Sequence, residues 1–543
     1  MQETDAENAE LRKPIETGLY WRGAVDERAK RDRRKRTAKR VKMRRNGDER
    51  SMRLGDLLEK IDIVTAGADL DMEIRGVGFD TRTLRGGELF VAIKGYERDG
   101  HEFIGEAASK GAVCVICETA PDINVPYMTV KDSRKALAAV SAAWFGYPAG
   151  KLKIVGVTGT NGKTTVTSLT KQVIEQCSGM KAGLIGTNVN MIGDKELHAE
   201  RTTPESFEIQ QLLAMMVAEG CEYAVMEVTS HAIQLNRVYG IEFEVGVFTN
   251  LTQDHLDFHA SMEEYAKTKA RLFKSCRHAA INLDDEYAQV MIENSDRPVF
   301  TYAVNDGNAD LVAKNVSLQS DRVDFSALTI GSLNRVKLGI PGMFSVYNAL
   351  SVISTALLMG FDIERIITAL QTCKGVKGRA EVVPIGRDFT VLIDYAHTPD
   401  ALENIIKASR VSVRGRLVTL FGCGGDRDRK KRPVMGRIAA ELSDFVIVTS
   451  DNPRTEKPGA IIDEILSGME GTTTPYKVVE NRREAIYWAL ENAQKDDVLI
   501  LAGKGHETYQ IFGKEKRHFD EREVIAEYFS TLRTNNQSVS NGK

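Results

Sequence analysis

Gly156-Val157-Thr158-Gly159-Thr160-Asn161-Gly162-Lys163-Thr164-Thr165 carries the chemistry around which the chain is organised. It follows Leu152-Lys-Ile-Val-Gly-Val-Thr158, an apolar run that reads as a buried strand, and it leads into a helix starting near Lys163. Backbone N–H groups in such a glycine-rich turn can wrap phosphate oxygens, and the helix N-terminus adds its positive dipole. Lys163 would reach the terminal phosphates and the Thr164 hydroxyl would serve Mg²⁺. Val157 occupies the first glycine position of the standard G-x-x-x-x-G-K-[ST] pattern, but the strand–turn–helix context is right, and ATP is the expected ligand.

Working outward, strands are expected at Tyr223–Glu227 and at 244–249. A later segment repeats the rhythm of strand, loop and helix, with strands at Thr390–Asp394, Leu417–Phe421, 445–450 and Val498–Ala502. Alternating β and α units imply parallel sheets, whose ligands gather beyond the strand C-termini. Glu227 ends one such strand and can hold Mg²⁺ in the manner of a Walker-B carboxylate. Asp254, His255 and Asp257 follow the next. Zinc is not expected, because no thiolate cluster accompanies the histidines.

Before the phosphate loop, 52–150 alternates short strands (88–93, 112–117) with helices, and Gly146-Tyr-Pro-Ala-Gly150 reads as a linker. Cys114 and Cys117 form a Cys-x-x-Cys pair without a second pair at metal-ligand spacing, so a buried strand is the expected home for both. Residues 1–51 are a basic extension, mostly Lys and Arg from Arg28 to Arg45, expected to be disordered and to precede a true start at Met52. The polar tail 534–543 is expected to fray.

The 543 residues exceed what one hydrophobic core serves. A net charge of -3 argues against a polycation built to coat nucleic acid. No apolar run is long enough for a membrane span, and no secretory h-region is present near Met1. Seven scattered cysteines suit a reducing compartment. A cytoplasmic multidomain protein is expected, with no nucleic-acid partner, and as a monomer.

The phosphate loop, Glu227, Asp254-His255 and Tyr265-Ala-Lys-Thr-Lys269 together resemble the Mur ligase family. So do Tyr347-Asn348-Ala349, Gly378-Arg379-Ala-Glu381, Asp394-Tyr-Ala-His397, Gly422-Cys-Gly-Gly-Asp426-Arg427, Asp451-Asn452-Pro453-Arg454 and Gly503-Lys-Gly-His-Glu507, in order along 52–530. The resemblance implies an α/β fold in three domains: a UDP-binding domain at 52–150, a central P-loop ATPase domain at 151–378 and a Rossmann-like domain at 379–533. It implies an ATP-dependent amide ligase of cell-wall precursor synthesis that forms an acyl phosphate, which an incoming amine displaces. It assigns ATP to Gly159, Thr160, Asn161, Gly162, Lys163, Thr164 and Thr165, with Asn348, Arg379, Asp394 and His397 on the adenosine side, and makes Arg379 a hinge.

By the same resemblance, Thr164 and Glu227 serve one Mg²⁺, and His255 with Lys269 serves another. Lys269 would do so as a carbamate derived from CO₂, since a cationic amine would be repelled by metal. Lys163, Glu227, His255 and Lys269 are thus the catalytic set. Carbamylation needs a neutral amine, which burial or neighbouring cations favour; Lys267, on another helix face, reads as solvated. Thr81 would contact the uridine nucleotide, and Thr202, Thr203, Thr229 and Arg237 the muramoyl dipeptide of UDP-MurNAc-L-Ala-D-Glu. Asp451-Asn452-Pro453-Arg454 looks like the signature of members that take meso-2,6-diaminopimelate, with Arg427, Gly503 and Glu507 as further contacts. A guanidinium fork suits the carboxylate that distinguishes this diamino acid from lysine. A lysine-adding relative or a folylpolyglutamate synthase-like ligase is the alternative.

Overall fold

The computed structural model describes residues 51–95, 98–252 and 258–540, without the side chains of 532–540. The basic extension before Ser51 and the expected metal ligand His255, with Asp254 and Asp257, lie outside the described residues.

Among the described residues, three large sheets follow one another along the chain, beside two of two strands each. The first has five strands, in the order Ile63–Gly67, Tyr127–Val130, Cys114–Cys117, Glu88–Val91, Gly76–Gly78, parallel except at the Ile63–Gly67 edge. Cys114 and Cys117 are both buried in its third strand, as a packing role for them requires. The 146–150 stretch is less open than a linker: Tyr147 takes a left-handed φ of 53°, and Pro148–Lys151 closes into a 3₁₀ turn. Proline's fixed φ suits the first position of such a turn.

The second sheet has eleven strands. Lys153–Thr158 runs in its middle, parallel to Tyr223–Glu227 on one side and Phe243–Phe248 on the other. Their residues are almost all buried, as helices on both faces of a parallel sheet require. This register sets Glu227 beside Val157 and Phe248 beside Thr158, so three separate chain segments end at one rim. The expectation of purely parallel sheets needs correction here. Leu311–Leu318, Val323–Thr329 and Ser332–Leu338 form an antiparallel meander at one edge. Alternation such as Arg335-Val-Lys-Leu338, exposed and buried in turn, is the half-solvated pattern of such strands.

The third sheet has the order Glu381–Val383, Thr390–Asp394, Val498–Ala502, Leu417–Phe421, Phe445–Val448, Tyr476–Val478, parallel except at the first strand. The last strand to form in sequence, Val498–Ala502, inserts between Thr390–Asp394 and Leu417–Phe421. A crevice therefore opens beyond these strand ends, where the strand order reverses. The tail also differs from expectation: the helix Glu521–Ser540 carries the backbone through most of the polar segment. Its first turns bury Val524 and Ile525, so tertiary packing starts a helix that the polar composition of its end did not announce. Among the described residues, no helix is long and apolar enough to cross a membrane.

Candidate functional site

The phosphate loop is shaped by two glycines whose φ values and close neighbours disfavour any side chain. At Gly159, with φ 146°, a Cβ would lie 1.9 Å from Thr249 Oγ1; at Gly162, with φ 87°, it would lie 2.6 Å from Asn348 Oδ1. The loop is pinned from the neighbouring strand end. Thr249 Oγ1 donates to Asn161 O at 2.7 Å, Asn161 N donates to Asn250 Oδ1 at 2.9 Å, and Thr160 N donates to Asn250 O at 2.8 Å. Thr249 and Asn250 escaped the sequence reading, where they stand simply as the end of a strand. Asn348, expected on the adenosine side, packs against the loop at Gly162 from the helix Met343–Leu358.

Lys163 opens the helix Lys163–Ser178 and folds its amine onto the loop, donating to Gly159 O at 2.9 Å and Thr160 O at 2.8 Å. Lys269, 1% exposed, donates to the same Gly159 carbonyl at 2.9 Å from the helix Met262–Ala270, and its amine stands 4.6 Å from the Tyr265 ring centre. Two lysine amines thus converge on one carbonyl oxygen. Lys267, two residues earlier, is exposed. Glu227 is buried, and Thr187 fixes it: Oε1 accepts from Thr187 N at 2.8 Å and Oε2 from Thr187 Oγ1 at 3.0 Å. Thr187 carried no signal in the sequence.

A hydrogen-bonded chain runs from Glu227 toward the first sheet. Thr202 Oγ1 meets Thr187 Oγ1 at 3.1 Å; Thr203 Oγ1 donates to Glu227 O at 2.8 Å and accepts from Thr229 N at 3.2 Å. Thr229 caps the helix Ser230–Gln234 by accepting from Ala232 N, and Arg237 Nη1 donates to Thr203 O at 3.0 Å. The Thr203 hydroxyl is committed to backbone, which leaves the loop it braces rather than its own oxygen to meet a ligand. Arg237 reaches a cleft of about 840 Å³ that Thr81 also lines. There Glu205 gathers three guanidiniums: Arg237 at 2.9 Å, Arg134 at 3.4 Å and Arg201 at 3.8 Å. One carboxylate among three arginines leaves the cleft cationic, suited to an anionic ligand. Arg134 and Arg201 were missed because only folding brings them to Arg237.

The remaining expected residues collect on the third sheet. A cavity of about 910 Å³ is lined by His397, Arg427, Asp451, Asn452, Arg454, Gly503 and Glu507, whose strands end side by side; Pro453 lies outside its lining. Arg454 adopts a left-handed φ of 52° and is tied on both sides, its N donating to Ile511 O at 3.0 Å and its O accepting from Gly513 N at 2.7 Å. Its Nη1 donates to Gly425 O at 2.8 Å. Beneath, the fully buried Arg432 donates to Glu456 and Glu464 at 2.8 Å, and Glu456 in turn accepts from Asp426 N. The hydrogen bonds from Arg432 hold the Glu456 carboxyl down at about 2. Basic Arg427, Lys430, Lys431 and Arg454 share this cavity with acidic Asp428, Asp451 and Glu507, charges of both signs that suit a zwitterion.

Arg379, Asp394 and His397 sit on the same rim around Tyr395. The Arg379 guanidinium stands 5.2 Å from the Tyr395 ring centre, and the His397 ring 4.6 Å from it. Burial pushes the Asp394 carboxyl above its ordinary range, against the pull of hydrogen bonds from Ala380 N and Ala396 N; burial pushes the His397 imidazole below its own. The described hydrogen bonds and ring contacts of these three stay within residues 376–520, while Asn348, on the helix Met343–Leu358, packs against the phosphate loop. The four expected adenosine-side residues therefore divide between two clusters, joined by the segment 372–381, where Gly378 and Ala380 take positive φ of 71° and 43°. A Cβ on Gly378 would meet Gly505 backbone at 2.2 Å, so the segment presses directly on the Gly503–Glu507 loop.

Three families match consecutive stretches: Mur ligase family, catalytic domain, at 73–148; Mur ligase middle domain, at 157–356; and Mur ligase, glutamate ligase domain, at 378–505. UDP-N-acetylmuramoyl-L-alanyl-D-glutamate--2,6-diaminopimelate ligase 1 of Clostridium acetobutylicum is 47% identical over 468 residues, 86% of this chain and 96% of its own. The ligase of the same description, unnumbered, from Caldanaerobacter subterraneus subsp. tengcongensis is 48% identical over 481 residues, 88% of this chain and 98% of its own. A solved structure of a UDP-N-acetylmuramoyl-L-alanyl-D-glutamate--2,6-diaminopimelate ligase superposes with TM-score 0.69 at 30% identity, covering 89% of this chain and all of that one. A MurF ligase from Thermotoga maritima in complex with ADP shares the fold at TM-score 0.55 and 19% identity, covering 84% of this chain and 97% of that one.

Proposed function

The chain belongs to the Mur ligase family, and we propose that it joins meso-diaminopimelate to the D-glutamate γ-carboxylate of UDP-MurNAc-L-Ala-D-Glu, cleaving ATP to ADP and phosphate. It is an ATP-dependent amide ligase of peptidoglycan synthesis. The observation that carries the choice of amino acid is the cavity that Arg427 and Arg454 line together with Asp451 and Glu507. A diamino dicarboxylic acid presents two charges of each sign, and Arg454 offers its far carboxylate a planar fork that lysine would leave unpaired. This favours it over a lysine-adding ligase; likeness to folylpolyglutamate synthases is one of fold, at 17% identity.

A carboxylate is a poor electrophile, so the γ-carboxylate first attacks the γ-phosphorus of ATP, releasing ADP and leaving an acyl phosphate. The amine then adds to the carbonyl carbon, loses a proton and expels phosphate. Lys163 and the backbone N–H groups of the loop hold the phosphates and balance the charge that two anions bring together. Mg²⁺ fits the oxygen donors at this rim, Thr164 and the buried Glu227 that Thr187 orients, and would supply Lewis-acid neutralisation of phosphate charge. Lys269 would carry the carbamate: its buried amine meets the Lys163 amine at the Gly159 carbonyl, so the Lys163 cation would stand beside the anionic product. The cationic cleft at Thr81 and Arg237 would receive the anionic nucleotide. It would act in the cytoplasm, where ATP and nucleotide-linked precursors occur, and as a monomer.

Phosphate release tests this. Turnover should require both the muramoyl-dipeptide nucleotide and meso-diaminopimelate, and hydroxylamine should trap an activated acyl species. Turnover equally supported by L-lysine would refute the choice of amino acid.

A further inference from the structure

Lys504 belongs to none of the roles assigned above, yet its side chain is fully buried beneath the amino-acid cavity. Gly503 and Gly505, with φ of 108° and 53°, flank it and turn the chain so that Lys504 points inward. Neither flank tolerates a Cβ: at Gly505 it would lie 2.6 Å from Tyr395 Cβ, and at Gly503 3.0 Å from Asp451 Oδ2. A buried ammonium must have partners, and the two that accept its hydrogen bonds both line the cavity, as does the Tyr509 ring 5.3 Å from it. Lys504 Nζ donates to Asn452 Oδ1 at 3.0 Å and to Glu507 Oε2 at 2.8 Å.

These bonds settle the orientation of both side chains. Asn452 Oδ1 accepts from Lys504 and from Ile511 N at 3.1 Å, so the Asn452 amide must turn its Nδ2 toward Glu507, to which it donates at 3.0 Å. Glu507 Oε2 is consumed by these two donors, and its other oxygen is left for the cavity. We infer that Lys504 is the positioning residue of the amino-acid site: it locks Asn452 and Glu507 in the one arrangement that offers a single carboxylate oxygen, beside Asp451, to the substrate's ammonium. Without the cation, the amide can flip and the carboxylate can rotate, so the site would present a mixture of faces to a substrate whose ends differ only in stereochemistry.

The inference rests on the amino-acid reading of this cavity, and kinetics on the full chain separate the two. In the unmodified enzyme, turnover with meso-diaminopimelate establishes the premise; its absence overturns that premise and not the packing. Lys504→Met should raise KM for meso-diaminopimelate about 10- to 100-fold, the range for losing one charge-assisted hydrogen bond, with KM for ATP and for the nucleotide substrate within about twofold. Lys504→Gln keeps a donor for Asn452 but no charge; it should retain the fold and give an intermediate rise, with weakened preference for the meso over the LL isomer. If KM for the diamino acid holds in either variant, or if all three KM values rise together, Lys504 merely supports the fold and the inference falls.

Discussion

Arg454→Met isolates what the guanidinium contributes, because the structure separates it from the backbone. The left-handed φ of 52° disfavours any residue with a Cβ by a similar amount, so exchanging arginine for methionine leaves that strain in place. The ties from Arg454 N to Ile511 O and from Gly513 N to Arg454 O belong to the main chain and survive. Methionine also keeps the length of the stem. Lost are the bond to Gly425 O and the fork presented to the cavity. A hydrogen bond to a charged group contributes about 1.5–3 kcal/mol, so kcat/KM for meso-diaminopimelate should fall about 10- to 150-fold. The assay is phosphate release at saturating ATP and nucleotide substrate, run in parallel with L-lysine. Lysine has no far carboxylate, so its poor turnover should hold steady or rise, and the ratio of the two substrates should collapse. An unchanged ratio, with both falling equally, would refute the assignment and make Arg454 a residue of loop structure.

Lys269→Ala should reduce turnover to near background, and a short-chain carboxylic acid should restore part of it; near-full activity without added acid would count against the carbamate. Thr187→Val removes one of the two donors to Glu227, so half-saturation by Mg²⁺ should rise about tenfold, as for other residues that orient a metal ligand; an unaltered Mg²⁺ titration would detach Glu227 from metal. Glu456, held at about 2 against an ordinary 4.5 by Arg432, contributes stability that is full above pH 4.5 and is lost as pH falls toward 2, because the unfolded chain takes up the proton first. In Arg432→Met the melting temperature should therefore fall less steeply between those pH values than in the unmodified protein; a parallel acid limb in both proteins would contradict the pairing.

Much of this molecule was legible before folding. The run Val498–Ala502 is apolar from end to end, and Tyr223–Met226 is apolar up to the carboxylate that closes it, the pattern of buried strands. The exposure of Lys267 and burial of Lys269 follow from helical periodicity. The edge meander and the helical tail were not legible: both depend on what a neighbouring surface covers, which local composition does not record.

Glycines and charged groups at strand ends are written into the chain itself, since a phosphate-wrapping turn needs φ values only glycine adopts freely and the chemistry needs carboxylates and amines. The chain alone thus determined which reagents the protein possesses. Which of them meet was decided by strand order: parallel pairing sets Glu227 and Thr249 beside the loop, and the late insertion of Val498–Ala502 brings the Gly503–Glu507 turn against Asp451 and Asn452. Partners such as Thr187, Glu205 and Lys504 acquire meaning only there, because a hydrogen bond is a statement about distance, and distance between remote residues exists only in the folded chain.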